Sequence, residues 1–364
     1  MNKTLHTGQN TKWVSCEKQP APIRKREVVK KMQDTSKRTL FFGNRPKIIG
    51  CSAVVGAREK EGPLGKFFRN VETDKTLGQK TFENAEIKML EKAVESATRG
   101  AKLRFSEIDL LLSGDLMNQI TSSSYVARKM AVPYMGLYSA CSTMTQCLTL
   151  GASLVNAGYF DNIACATGSH FATAERQFRF PLEYGCQRPP YAQWTVTGAG
   201  CSIIGKDGDG PSITAATIGK AIDFGIKDLS NMGAAMAPAA MDTLCTLFKD
   251  TGTDASDYDM IVTGDLGKLG SDIFRDLMSG EGYYMGQDYS DCGAIIYDRN
   301  QRCYQGGSGA GCSAAVFNSF VMERLWKKTI NKVVFLATGA LMSNTSSYQG
   351  ESIPAISHAV VVEN

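Results

Sequence analysis

Short apolar runs alternate with amphipathic stretches along most of the chain, a pattern that predicts strand–helix–strand crossovers. Ile48–Val55 reads as a strand. Residues 82–99 place Phe82, Ala85, Met89, Ala93 and Ala97 on one side of a helix that Gly100 ends. A short buried strand follows at Ile108–Ser113, then a helical stretch around 121–130, a strand at Tyr134–Tyr138, a helix over 142–157 and a strand at Ile163–Thr167. Later residues repeat the scheme: helix 236–250, strand 259–263, helix 271–279, strand 293–297, helix 312–328 and strand 332–337. A last strand at His358–Glu363 answers Gly200–Ile204. Crossovers of this kind imply a mostly parallel inner sheet with helices outside it.

The repetition extends to the letters. Ile-Asp-Leu-Leu-Leu-Ser-Gly-Asp-Leu at 108–116 is answered by Tyr-Asp-Met-Ile-Val-Thr-Gly-Asp-Leu at 258–266. Cys141 opens an apolar helical run and Ala166-Thr167-Gly168 follows 25 residues later; Cys312 and Ala337-Thr338-Gly339 keep the same spacing. Two copies in one register predict a duplicated α/β unit. The chain divides into a basic extension (1–46), a first half (47–235) with its own insertion (169–197), and a second half (236–364). An elaboration present in one half only is a natural place for a ligand loop.

Composition narrows the classes. At 364 residues and 43% apolar content the chain can bury a large core. No apolar run reaches the roughly 18 residues of a membrane span, and Met1–Asn10 is polar, so a soluble or peripheral protein is expected. The 11 cysteines include no Cys-x-x-Cys pair and read as reduced, mostly core thiols. Three histidines leave little material for a metal centre, and none is expected. The net charge of +4 is uneven, with 12 Lys/Arg against 3 Asp/Glu in residues 1–47 and an acidic body after them. That arm reads first as a solvated extension and second as a dock for a membrane surface or partner; the acidic body argues against nucleic acid.

Ser139-Ala140-Cys141-Ser142-Thr143 resembles the nucleophile-cysteine segment of the thiolase and ketoacyl-synthase superfamily. The chain more closely resembles the stage V sporulation protein AD family of endospore-forming bacteria. The matching phrases are Glu61–Gly65, Ser113–Gln119, Tyr125–Arg128, Ala140–Thr143, Ala172–Pro181, Met232–Pro238 and Asp291–Ala294. The resemblance implies a thiolase-like, duplicated five-layer α/β/α/β/α fold. It also implies non-catalytic binding of dipicolinic acid, free or calcium-complexed, in support of its uptake into the developing spore. The expected setting is peripheral, on the cytosolic face of the forespore inner membrane, as a homodimer working with other stage V sporulation A membrane proteins. No cofactor is expected, and calcium enters only within the ligand complex. The alternatives are an acyltransferase or condensing enzyme with an acyl-Cys141 intermediate, and a structural scaffold of a membrane complex.

The residues bear on that choice. Cys141 lies between a strand and a helix start, where free N–H groups and the helix dipole favour a thiolate or bound anion. Acyl transfer also needs polar partners, usually His and Asn. By resemblance those places fall to Asp265 and Gly311 here, which argues against turnover. Asp115 and Asp265 match within the repeat, and each is expected to accept backbone N–H bonds at a helix start. His358 could reach the centre from the last strand. A planar pyridine with two carboxylates calls for an aromatic slot rimmed by donors, and His170, Arg176 and Arg179 lie among Phe171, Phe178 and Phe180. Arg176 reads equally as an ion-pair partner of Glu175 or Glu183. The candidate ligand residues are therefore Cys141, His170, Arg176, Arg179, Asp115, Asp265 and His358. Gly205–Gly210 lacks EF-hand spacing, and Gly306–Gly311 lacks the ending of a phosphate loop. Ile163–Thr167 is the candidate pairing edge for a dimer.

Overall fold

The computed structural model describes residues 37–178 and 187–364. Arg179, Phe180, Glu183 and the basic extension up to residue 36 lie outside the described residues. The ordered body begins earlier than the expected Lys47: Thr39–Phe41 pairs antiparallel with Ala215–Thr217, and buried Arg38 is bound 2.7 Å from Asp242.

Ten strands build two matching sets. The first contains β1 (Lys47–Gly56), β2 (Leu110–Gly114), β3 (Tyr134–Gly136), β4 (Asn162–Ser169) and β5 (Gly198–Gly205). The second contains β6 (Ser212–Thr217), β7 (Met260–Thr263), β8 (Tyr289–Asp291), β9 (Lys332–Ala340) and β10 (Ala355–Glu363). The spatial order is β3-β2-β4-β5-β1 followed by β6-β10-β9-β7-β8, so the second set mirrors the first across a single β1–β6 residue pair. This places β6 in the second half, which begins near Ser212 and not at residue 236. The sheet is also less parallel than the crossovers suggested. β2 pairs parallel with β3 and β4, but β5 is antiparallel to both β4 and β1, and the other set repeats this. Strands reached through long excursions or short returns need no helical crossover, so they are free to run antiparallel.

Strand alternation sorts the layers. Leu110, Leu112, Ile163 and Cys165 face Val333, Phe335, Val360 and Val362 across a central helical layer. That layer holds α3 (Thr143–Asn156) and α7 (Ala310–Val316), the two helices opened by the repeated cysteines. On the outer face of the first set, Leu111, Ala164 and Ile203 pack against Met89, Ala93 and Ala97 of α1 (Phe82–Gly100) and Val126 of α2 (Thr121–Met130). On the other outer face, Val334, Leu336 and Val361 meet Met236, Leu244 and Phe248 of α5 (Met232–Thr251) and Phe274 of α6 (Gly267–Gly280). The result is the expected five-layer α/β/α/β/α stack, with both thiol-bearing helix starts at its centre. (The helix Phe171–Phe178 lies within the insertion and is called α4.)

Two predicted elements change. Residues 293–297 are not a strand: β8 ends at Asp291, whose carboxylate accepts from Ala294 N and turns Cys292–Ile296 into a helical turn. A short apolar run is compatible with either state, and here the cap decides. The predicted 312–328 helix is interrupted by a π-helical stretch at Phe317–Val321 before it resumes over Met322–Trp326. Ile163–Thr167 is no edge either, because β4 is paired on both sides.

Candidate functional site

Cys141 stands in a one-turn 3₁₀ segment, Ala140–Ser142, that feeds α3. Ala140 is left-handed, with φ of +50°, a strained setting for a residue with a side chain. Hydroxyls hold it: Thr143 Oγ1 accepts from Ser139 N and donates to the Ala140 carbonyl, and Ser142 Oγ donates 2.8 Å to the Ala337 carbonyl of β9. At Gly339, on the same strand, a Cβ would fall 2.2 Å from the Ser139 carbonyl. The elbow therefore needs glycine beneath it.

The Cys141 thiol hydrogen-bonds to the buried carboxylate of Asp265. Asp265 also accepts from Thr338 Oγ1 at 2.8 Å and from Gly309 N at 3.3 Å. Burial pushes its carboxyl up to about 7 against the pull of these bonds. Each aspartate accepts backbone N–H at a helix start as expected, Asp265 from Gly309 before α7, but they do so at different helices. Asp115 does cap its helix, accepting from Met117 N, Ser123 N and Ser123 Oγ, whereas the equivalent work in the second half falls to Asp291, which accepts from Leu266 N and Gly267 N. Asp265 is thereby released to face the thiol. Gly311 packs so tightly that a Cβ would meet the Gly198 carbonyl at 2.1 Å, so no side chain fits there.

The cavity beside Cys141 is small, about 40 Å³, with apolar walls that include Leu116, Tyr138, Ala174, Phe178 and Met342. At roughly 10–15 Å³ per water that is room for about three waters. The other candidates are elsewhere. His358 accepts from Gly219 N through Nδ1, and burial first, then nearby Arg38, pushes it down to about 4. Arg176 projects outward, 45% exposed, and pairs with Glu83 at 2.9 Å; Glu183, the other expected partner besides Glu175, lies outside the described residues. Glu175 instead binds Arg188 at 2.5 Å.

His170 belongs to a second cavity, of about 350 Å³. Its Nδ1 accepts from Ala172 N, so Nε2 carries the proton and donates 2.9 Å to the Lys75 carbonyl; burial lowers its pKa. The walls include Phe82, Met89, Phe171 and Trp194, with Arg58 and Glu59. Phe171 and Trp194 stack at 4.0 Å, and the Arg58 guanidinium lies 4.1 Å over the indole. Glu59 Oε1 accepts from Thr197 N and from the Tyr297 hydroxyl. Its Oε2 is buried with no hydrogen-bond partner, and burial raises the Glu59 pKa. Nothing local in the sequence marks Arg58, Glu59 or Trp194; the insertion delivers the tryptophan through Trp194–Thr195, which pairs with Gly307–Ser308 of the second half. Among the described residues, no group of three or more His, Cys, Asp or Glu is placed to hold a metal ion.

The sequence profile described as Stage V sporulation protein AD matches residues 36–363. The chain is 43% identical over 332 residues to the stage V sporulation protein AD of Bacillus subtilis (strain 168), covering 91% of this chain and 98% of that protein. The chain belongs to the stage V sporulation protein AD family. Its fold is shared more widely. The 3-oxoacyl-[acyl-carrier-protein] synthase III of Aquifex aeolicus VF5 matches with a TM-score of 0.56 at 12% identity, over 88% of this chain and 100% of that one. Xanthomonas campestris OleA, with bound lauric acid and lauroyl-CoA, matches with a TM-score of 0.57 at 12% identity, over 87% and 99%. At such identities the likeness establishes the thiolase-like architecture of this family member, not its chemistry. No described helix is long and apolar enough to cross a membrane.

Proposed function

We propose that this sporulation protein binds dipicolinic acid, free or calcium-complexed, without transforming it, and so supports its uptake into the developing spore. The ligand site moves from the cysteine to the neighbouring cavity. The observation that carries this reading is an aromatic-walled space of about 350 Å³ with Arg58, Glu59 and His170 in its lining. Burial raises the Glu59 pKa against the bonds its Oε1 accepts from Thr197 N and the Tyr297 hydroxyl, so the neutral acid is favoured in the cavity wall. The Phe171–Trp194 stack gives the cavity an aromatic wall, and Arg58, over the indole, brings positive charge to it. The nearby acids are engaged elsewhere: Glu72 with Lys92, and Asp74 with Thr76 and Gly78.

The protein would act peripherally at the forespore inner membrane with other stage V sporulation A proteins. A second copy would pair at β3, the open edge of the first set, where Met135 is 48% and nearby Tyr138 45% exposed. Calorimetric titration with dipicolinate, with and without calcium, tests the reading: saturable binding lost in a folded Trp194→Ala variant supports it, and no binding in either condition sinks it.

The second reading is acyl transfer through Cys141, favoured by that residue's place at the start of a central helix. Against it, the thiol faces Asp265 and a side-chain-free Gly311 where acyl transfer usually employs His and Asn. Intact-mass measurement after incubation with an acyl-coenzyme A decides: a stable adduct on Cys141 would displace the binding reading.

A further inference from the structure

On another face, residues from both halves bring five cations around an exposed tryptophan. Arg69 lies 3.3 Å and Lys327 2.6 Å from Glu323, whose single carboxylate they share. The Lys66 ammonium lies 5.1 Å over Phe67; Phe67 meets Phe320 edge-on at 5.0 Å; and the Arg324 guanidinium lies 5.3 Å over Phe320. Lys328 follows Lys327, and Trp326, 43% exposed, stands beside them. A recess of about 390 Å³ opens between these groups, with Asn70, Ser96 and Ser319 among its polar walls.

The backbone builds this face deliberately enough to need bonds of its own. The π-helical stretch Phe317–Val321 is tied from three directions: Asn318 Nδ2 donates to the Ala314 carbonyl, Asn318 Oδ1 accepts from Ser202 Oγ at 2.6 Å, and Cys51 donates its thiol to the Asn318 carbonyl. The extra residue in that turn shifts the helix phase for Glu323, Arg324 and Trp326. The cations outnumber the acids named here, Glu323 and the nearby Asp259, which accepts from Asn331 N and Lys332 N, and an indole among lysines suits the boundary between water and acyl chains.

We infer that this face docks the protein directly on an anionic bilayer, with Trp326 at the headgroup level, Lys66, Arg69, Arg324, Lys327 and Lys328 on the lipid charges, and the recess receiving a headgroup. The inference rests on the peripheral membrane role proposed above and gives it a surface in the folded body, separate from the basic extension. Lys and Arg near such a surface each strengthen binding by about fivefold, an effect that salt screens.

The test is flotation of the full chain with phosphatidylcholine vesicles, with and without phosphatidylglycerol. Salt-sensitive binding to the anionic vesicles is expected, reduced about tenfold or more in a Lys327→Glu, Lys328→Glu variant and less in Trp326→Ala. A wild-type chain that ignores anionic vesicles overturns the inference. So does a double variant that binds them as well as wild type, since the contact would then lie elsewhere. Dipicolinate titration of the same samples reads the ligand-binding role separately, so either can fail alone.

Discussion

Replacing Asp265 by Asn removes a charge from the centre of the molecule and should change how stability depends on pH. The Asp265 carboxyl is held at about 7 in the fold against 3.8 ordinarily, because burial outweighs the bonds from Cys141, Thr338 and Gly309. Between those pH values the folded protein keeps a proton that the unfolded chain has released, so stability falls as pH rises through the window and levels off above it. At 1.36 kcal/mol per pH unit the full loss is about 4 kcal/mol, of which about 2–3 kcal/mol falls between pH 5 and pH 7. Glu86, raised to about 8, and Asp291, raised to about 6, add slopes of the same sign. The Glu86 slope is common to both proteins and cancels in the difference, whereas Asp291, whose charge helps raise Asp265, is relieved of that repulsion in the variant. Urea unfolding of wild type and Asp265→Asn from about pH 5 to about pH 8 should show the variant gaining about 2–3 kcal/mol relative to wild type. Its pH-independent offset reports the altered hydrogen bonding. A difference that stays flat across this range would refute the assignment of a proton to Asp265 near neutrality.

Other outcomes follow from the same structure. Dipicolinate affinity should weaken as pH rises and Glu59 ionises, since a negative charge in the cavity wall repels the ligand's carboxylates, and Glu59→Gln should flatten that dependence in calorimetric titrations. Arg176→Ala should alter stability by less than about 1 kcal/mol in urea unfolding, because it forms an exposed ion pair. Gly311→Asn, which would restore the side chain expected of a condensing enzyme, should cost about 2–3 kcal/mol or more in the same assay, as its Cβ meets the Gly198 carbonyl. Met135→Lys should lower the sedimentation-derived mass to that of a monomer if β3 is the pairing edge, with unchanged circular dichroism.

The duplicated architecture was legible because repeated phrases and apolar periodicity are local. Ser113-Gly-Asp-Leu116 and Thr263-Gly-Asp-Leu266 announce equivalent strand ends, and the cysteine-led runs announce the two central helices. The placement of Cys141 at a helix start came from the same kind of reading. Strand direction did not, because β5 and β10 return antiparallel through connections whose direction no periodicity encodes. Nor did the fates of Asp115 and Asp265. Their neighbours in sequence match, but one meets the N–H groups of its own helix and the other meets a thiol from the opposite half. His170 and Arg176 looked like parts of one pocket because they are close in sequence, yet successive positions around a helix point in different directions. One lies buried beside Phe82 and the other reaches outward to Glu83. The cavity proposed for the ligand was illegible for a complementary reason. Glu59, Trp194 and Tyr297 are far apart along the chain, and their association depends on how the insertion and the second half close over the first. Thus, the sequence by itself determined the repeated elements and their layers, since burial periodicity is a property of neighbouring residues. Only the tertiary structure decided which side chains share a cavity and which carboxylate keeps its proton, since both depend on desolvation by groups from distant parts of the chain.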